Sequence, residues 1–136
     1  VALWWNVPQE IADRVARRRL DPAGGLHAVE HGAIALLPLF AMCDRWDIGG
    51  LSTPRHPDTG QAQVFIYDGF PGGVGIAEKG YDLLADLWRA THEMIRDCPC
   101  QEGCPSCVQS PKCGSNNEPL DKGAAALILA ELLRRT

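Results

Sequence analysis

Five of the six cysteines in this chain lie between residues 98 and 113. They stand in Cys98-Pro99-Cys100 and Cys104-Pro105-Ser106-Cys107, and Cys113 follows six residues later. Disulfides explain this cluster poorly, because one residue separates Cys98 from Cys100 and five thiols cannot all pair with one another. Four thiolates can instead close a tetrahedron around Zn²⁺ at an S–metal distance of about 2.3 Å. The spacing therefore predicts a metal site.

The predicted ligands are the four cysteines of one short knuckle, Cys98, Cys100, Cys104 and Cys107. The knuckle is defined here as residues 97–118. Cys113 is either a spare thiol or a substitute for one of the four, and the sequence leaves that choice open. One structural zinc ion is expected, and the alternatives are an iron–sulfur cluster and reduced thiols without metal.

A second pattern with ligand-type residues is His27-Ala28-Val29-Glu30-His31. It matches the H-x-x-E-H pattern of a group of zinc metallopeptidases, in which two histidines one helical turn apart bind zinc and the glutamate activates a water. Such a site needs a third ligand, and Glu102 is a candidate. The alternative is a pair of helix-start histidines that hydrogen-bond to nearby backbone, and we favour it because so short a pattern arises easily by chance.

Three further groups are weaker candidates. Asp44, Asp47 and Asp68 suggest either a carboxylate metal site or, as we favour, turn caps and ion pairs. Arg14, Arg17 and Arg18 share a helix face that either contacts solvent or binds phosphates, and Lys112 is a further basic candidate. The glycine-rich turn at residues 69–75 lacks the lysine of a Walker A motif, so no nucleotide site is predicted.

These residues need elements to position them, and the hydrophobic pattern predicts an α+β fold. A small antiparallel sheet of about three strands is expected to pack against about four helices, with the knuckle at one edge. The strands are predicted at residues 1–7, 45–52 and 63–68, and the helices from Pro8, at Leu26–Met42, at 74–96 and from Asp121, with a chain break at Asp21–Gly25.

Composition limits the function classes. With 136 residues and 46% hydrophobic content, the chain is expected to form one domain, residues 1–136. A net charge of −4 argues against an independent nucleic-acid clamp. The sequence shows no signal peptide and no apolar run of membrane-spanning length. Together with clustered thiols, this predicts a protein of the reducing cytoplasm without a membrane partner.

The stretch from Cys98 to Lys122 closely resembles the C-terminal zinc-binding domain of MrfA-type DEAD/DEAH-box helicases. The resemblance extends through residues 66–78, the His27-x-x-Glu-His pattern and Cys43-Asp-Arg-Trp-Asp47. It implies a superfamily 2 enzyme that uses ATP to unwind DNA with 3′-to-5′ polarity and is associated with DNA repair. By order, the four zinc cysteines of that family correspond to Cys98, Cys100, Cys104 and Cys107.

The resemblance also implies partners and cofactors. The chain lacks nucleotide-binding lobes and starts at Val1 without an initiator methionine, so we expect a fragment of a longer helicase. ATP and Mg²⁺ would belong to the absent lobes, and this domain would not be catalytic by itself. The expected partners are those lobes, DNA through the parent protein, and a repair nuclease. The alternatives are a metallopeptidase-like hydrolase and a protein-interaction module.

Overall fold

In a computed structural model of the chain, three antiparallel strands form one sheet with the third strand in its centre. The structure describes residues 2–39, 48–55, 60–68, 76–110, 113 and 117–135. Within these ranges the strands are β1 (Ala2–Val7), β2 (Ile48–Thr53) and β3 (Ala62–Asp68), and the helices are α1 (Gln9–Arg17), α2 (Pro22–Leu36), α3 (Ile76–Asp97) and α4 (Lys122–Arg134). The predicted α+β fold is therefore confirmed.

The sheet places one apolar face against the helices. Trp5 of β1 pairs with Val64 of β3, and Val7 pairs with Ala62; all four side chains are buried. Because side chains alternate across a strand, these residues form one continuous face. On the other side of β3, β2 pairs antiparallel with β3, as the sequence predicts for the two consecutive strands. Residues 44–47, which the sequence assigned to this region, lie outside the described ranges.

Helix α2 is the central element, since it packs against α3, α4 and strand β2. The predicted chain break at Asp21–Gly25 is wrong, because α2 already begins at Pro22. Asp21 caps the helix, its side chain accepting a hydrogen bond from the Ala23 N–H, and proline suits a first helical turn. Gly24 and Gly25 lie inside the helix. A Cβ on Gly25 would stand 2.6 Å from the Ala124 Cβ, so the glycine allows α4 its close approach.

The end of α2 also differs from the prediction. The helix ends at Leu36 and one short 3₁₀ turn, Leu37–Leu39, follows it. Pro38 explains the end, because proline cannot donate a backbone hydrogen bond and clashes with the preceding turn of a helix. The last predicted helical residues, 40–42, lie outside the described ranges.

Hydrogen bonds connect the N-terminus of α2 to the N-terminus of α4. Asp121 caps α4 through the Ala124 N–H at 2.9 Å, and its second oxygen accepts a hydrogen bond from the Asp21 N–H at 2.8 Å. The Asp121 N–H in turn donates to the Gly24 carbonyl. This contact fixes the start of α4 beside the start of α2, where the histidines lie. Among the described helices, none has both the length and the apolar character needed to cross a bilayer.

Candidate metal centre

Four cysteine sulfurs lie close together where α3 ends and the knuckle turns back. The Sγ–Sγ distances are 3.6 Å between Cys98 and Cys100, 3.5 Å between Cys98 and Cys104, 3.5 Å between Cys100 and Cys107, and 3.8 Å between Cys104 and Cys107. Cys107 is buried, and the other three are partly buried. The four predicted cysteines are thus brought to one site.

Helix α3 and a tight turn deliver these sulfurs. Cys98 directly follows α3, and its N–H still donates to the Met94 carbonyl in helical fashion. In the turn, the N–H groups of Cys107 and Gln109 both donate to the Cys104 carbonyl, at 3.0 and 3.1 Å. Gly103 precedes this turn with a φ of +120°, a backbone conformation that favours glycine. The local sequence therefore folds the chain back so that Cys104 and Cys107 face Cys98 and Cys100.

The sulfur spacing fits a tetrahedral metal. A disulfide would bring two sulfurs to about 2.0 Å, and these four cysteines form none. For zinc with S–metal distances of about 2.3 Å, tetrahedral geometry places the sulfurs about 3.8 Å apart. The four distances lie at or just below that value. The donor set is therefore chemically and geometrically suited to one Zn²⁺.

Lys122, the first residue of α4, forms hydrogen bonds with two of the clustered cysteines. Its Nζ donates to the carbonyls of Cys98 and Cys100, at 2.8 and 2.6 Å, and lies 3.1 Å from the Cys100 Sγ. The ammonium lowers the pKa of the Cys100 thiol to about 6. Burial instead raises the pKa of the Cys107 thiol to about 12. One sulfur is therefore ready to act as a thiolate at neutral pH, whereas Cys107 must release a proton when a metal binds.

The two histidines of the H-x-x-E-H pattern lie near Cys113 and form a second group of ligand-type residues. His27 and His31 stack edge to face, with ring centroids 4.2 Å apart. The His27 Nε2 lies 3.4 Å from the Cys113 Sγ, and one ligand atom from each of the three residues lies within 4.8 Å of the others. Cys113 therefore groups with the histidines and not with the four-cysteine cluster. Glu102, the third ligand suggested by the sequence, is exposed and is not part of this group.

Glu30 points toward the sheet. Its carboxyl is buried and contacts Ser52 of β2, and burial raises its pKa to about 7. A Cβ on Gly50 would lie 2.9 Å from the Glu30 Oε2, so β2 covers this side chain closely. The histidines instead contact the carbonyls of Val108 and Pro119. This separation argues against the peptidase interpretation, which needs the glutamate beside a histidine-bound water.

The remaining candidates differ in their surroundings, and some lie outside the described residues. Arg14 forms an ion pair at 2.8 Å with Glu131, which is buried in α4. Arg17 and Arg18 are exposed. Asp44, Asp47 and Lys112 lie outside the described ranges, as do residues 69–75, and the Asp68 side chain is not described. Sequence reasoning missed Lys122, whose only signal was its place at the end of the stretch that carries the resemblance.

The architecture and the cysteine site together define an α+β domain with a cluster of four cysteines that could hold a metal ion. The chain belongs to the MrfA Zn-binding domain family, whose model matches residues 29–108. This range includes all four clustered cysteines. The sequence-based recognition of this family is therefore confirmed, as is its prediction of a zinc-binding domain.

Individual relatives agree with this assignment. The chain is 42% identical over 111 residues to an uncharacterised protein of Methanocaldococcus jannaschii, covering 79% of this chain and 99% of the relative. It is 40% identical over 73 residues to the uncharacterised ATP-dependent helicase YprA of Bacillus subtilis, covering 54% of this chain and 10% of the helicase. It is 26% identical over 137 residues to the ATP-dependent helicase HRQ1 of Saccharomyces cerevisiae, covering 93% of this chain and 13% of that protein.

A solved structure shares the fold. The crystal structure of the DUF1998 helicase MrfA bound to DNA matches with a TM-score of 0.63 and 26% identity, covering 96% of this chain and 17% of that one. The chain is thus similar to nearly the whole of the archaeal relative but to between a tenth and a fifth of each helicase. It is homologous to one region of those helicases.

Proposed function

We propose that this chain is the zinc-binding accessory domain of an ATP-dependent DNA helicase. In this proposal Cys98, Cys100, Cys104 and Cys107 hold one structural Zn²⁺. The observation that carries the proposal is the convergence of four sulfurs at 3.5–3.8 Å, in a chain whose family is the zinc-binding domain of a helicase. Four thiolates leave zinc no open position, so the role of the ion is structural and not catalytic.

In this proposal the zinc site stabilises the contact between the end of α3 and the start of α4. Cys98 and Cys100 extend from the end of α3, and Lys122 begins α4 while donating to the carbonyls of both cysteines. A Zn²⁺ with four thiolates carries a net charge of −2, which the Lys122 ammonium partly neutralises. Bound zinc therefore fixes the end of α3 against the start of α4, and part of the binding free energy becomes folding free energy.

The motor activity belongs to other parts of the parent protein. The chain has no Walker A lysine, so ATP and Mg²⁺ are assigned to separate helicase lobes of the same polypeptide. Those lobes unwind DNA with 3′-to-5′ polarity in DNA repair, and this domain supports them in the reducing cytoplasm. The names of the helicase relatives and the DNA in the similar crystal structure support the assignment to a DNA helicase.

Zinc analysis of a cysteine variant tests the proposal. In Cys104→Ser, a three-thiolate remnant should lose zinc or bind it far more weakly, and the melting temperature should fall because the end of α3 loosens. The core should keep much of the domain folded. Ser106→Ala changes an exposed side chain between Cys104 and Cys107 and should leave both quantities unchanged. Full zinc occupancy and unchanged melting in Cys104→Ser would exclude these ligands.

A protein-interaction module is the second candidate. The archaeal relative is matched over 99% of its own length, so that relative consists of this domain alone. A separate domain could support helicase lobes only by binding them in trans. This candidate predicts that the purified chain associates stably with separately produced lobes, and that removing it leaves DNA unwinding intact. The accessory-domain proposal predicts reduced unwinding in the same experiment.

A further inference from the structure

We propose that His27, His31 and Cys113 form a second metal site, which binds a divalent transition-metal ion such as Zn²⁺ separately from the four-cysteine cluster. Imidazole nitrogen and thiolate sulfur are ligands that suit this class of ion. The family match covers residues 29–108, so His27 and Cys113 both lie outside it. The site goes beyond the proposed structural zinc and does not depend on it.

The positions of the donor atoms support this site. His27 and His31 lie one turn apart on α2, so both rings project from one side of the helix. Cys113 lies in the C-terminal part of the knuckle, with its Sγ 3.4 Å from the His27 Nε2. Zinc with bonds of about 2.0 Å to nitrogen and 2.3 Å to sulfur places these atoms about 3.5 Å apart in a tetrahedron. The observed separation matches that geometry.

The hydrogen bonds of the rings orient both histidines for metal binding. The His27 Nδ1 lies 2.7 Å from the Pro119 carbonyl, and the His31 Nδ1 lies 2.7 Å from the Val108 carbonyl. A carbonyl oxygen can only accept, so each Nδ1 carries the proton and donates it. In the neutral ring the lone pair then resides on Nε2. Metal-bound histidines typically hold their second nitrogen in this way, which fixes both the tautomer and the ring direction.

The surroundings of the three donors favour a specific site over a chance cluster. His31 is 4% exposed, and its carbonyl partner Val108 directly follows Cys107 of the four-cysteine cluster. The His27 partner, Pro119, stands just before the cap of α4. A bound ion would therefore link α2 to the C-terminal half of the knuckle. With three donors from the described residues, solvent can complete the coordination, so this ion should exchange faster than the ion of the four-cysteine cluster.

Metal stoichiometry of the purified chain tests the second site. After loading with excess Zn²⁺ and removal of unbound metal, native mass spectrometry should show two ions per chain. Cys113→Ser should bind one ion, because its remaining two histidines should hold zinc at least about 100-fold more weakly. His92→Gln replaces a histidine of α3 outside both groups and should keep two ions. Circular dichroism on each variant verifies that it remains folded.

Two further variants separate the sites. His27→Gln, at a partly exposed position, should bind one ion as Cys113→Ser does. Cys104→Ser should keep the second ion, and X-ray absorption at the zinc edge should then show nitrogen as well as sulfur neighbours. A wild-type chain that binds one ion under zinc excess would overturn the second site, as would two ions retained in both Cys113→Ser and His27→Gln. Neither result would affect the four-cysteine site.

Discussion

Lys122 shows how a single side chain connects the metal cluster to the helices. Its ammonium reaches two cysteine carbonyls and one cysteine sulfur, although 22 residues separate it from Cys100. A methionine would keep much of the apolar stem but remove the charge and all three hydrogen bonds. The carbonyls would lose their charged donor, and the four-thiolate zinc would lose its nearby cation.

We therefore predict that Lys122→Met binds zinc at the four-cysteine site about 10–100-fold more weakly, the usual cost of losing an outer partner of a metal ligand. Competition with a chromophoric chelator measures this affinity. Arg89→Met is the matched control, because Arg89 is exposed and pairs with Asp86 on its own helix. Equal zinc affinity in both variants would show that Lys122 does not support the cluster.

At this scale the sequence predicted the cysteines but not their surroundings. Clustered thiols in one short segment can be recognised directly, since the spacing itself limits how their sulfurs can meet. The partners of His27 could not be recognised, because Cys113 and Pro119 lie 86 and 92 residues away and only the packing of α2 beside α4 brings them close. Glu30 was likewise only a candidate for the base of the H-x-x-E-H pattern, and its contact with Ser52 places it against β2.

At the scale of elements, the close packing of α2 on α4 brings the histidines of α2 beside the segment that precedes α4. Gly25 is the point of contact, where a Cβ would lie 2.6 Å from the Ala124 Cβ and 2.8 Å from the Ile128 Cδ1. The chain break predicted from the sequence includes this glycine, and glycine lowers helix propensity by about 1 kcal/mol relative to alanine. Helix packing outweighs that preference here.

We predict that Gly25→Ala destabilises the domain by about 1–3 kcal/mol, because overpacking forces the two helices apart despite the better helix propensity of alanine. Gly123→Ala is the control: its Cβ would meet the Leu20 Cδ2 at an ordinary 3.4 Å, and a gain of about 0.4–1 kcal/mol is expected. Urea unfolding measures both values. A Gly25→Ala domain as stable as wild type would contradict the close-packing account.

At the scale of the whole molecule, charge limits direct DNA binding. The chain carries a net charge of −4, and Arg14 already pairs with Glu131. Of the three arginines predicted from the helix face, Arg17 and Arg18 are exposed and remain candidates for phosphate contact. Two such contacts attract DNA only weakly.

We predict that the isolated chain binds duplex DNA weakly, with a slope of log affinity against log salt no steeper than about −2, since each phosphate contact contributes about −0.9. The double variant Arg17→Ala/Arg18→Ala should abolish the salt dependence of the DNA affinity, whereas Arg89→Ala should leave it unchanged. Fluorescence anisotropy at a series of salt concentrations measures the DNA affinity of each variant. Tight binding at physiological salt, or an unchanged double variant, would show that the DNA contact lies elsewhere.

The most direct test of the central claim is X-ray absorption at the zinc edge on Cys113→Ser, which disables the proposed second site. With one zinc per chain, we predict four sulfur neighbours at about 2.3 Å and none of nitrogen or oxygen. That result would establish the ion as a closed, structural centre of the four clustered cysteines. Fewer than four sulfurs, or nitrogen or oxygen in the coordination shell, would contradict the account.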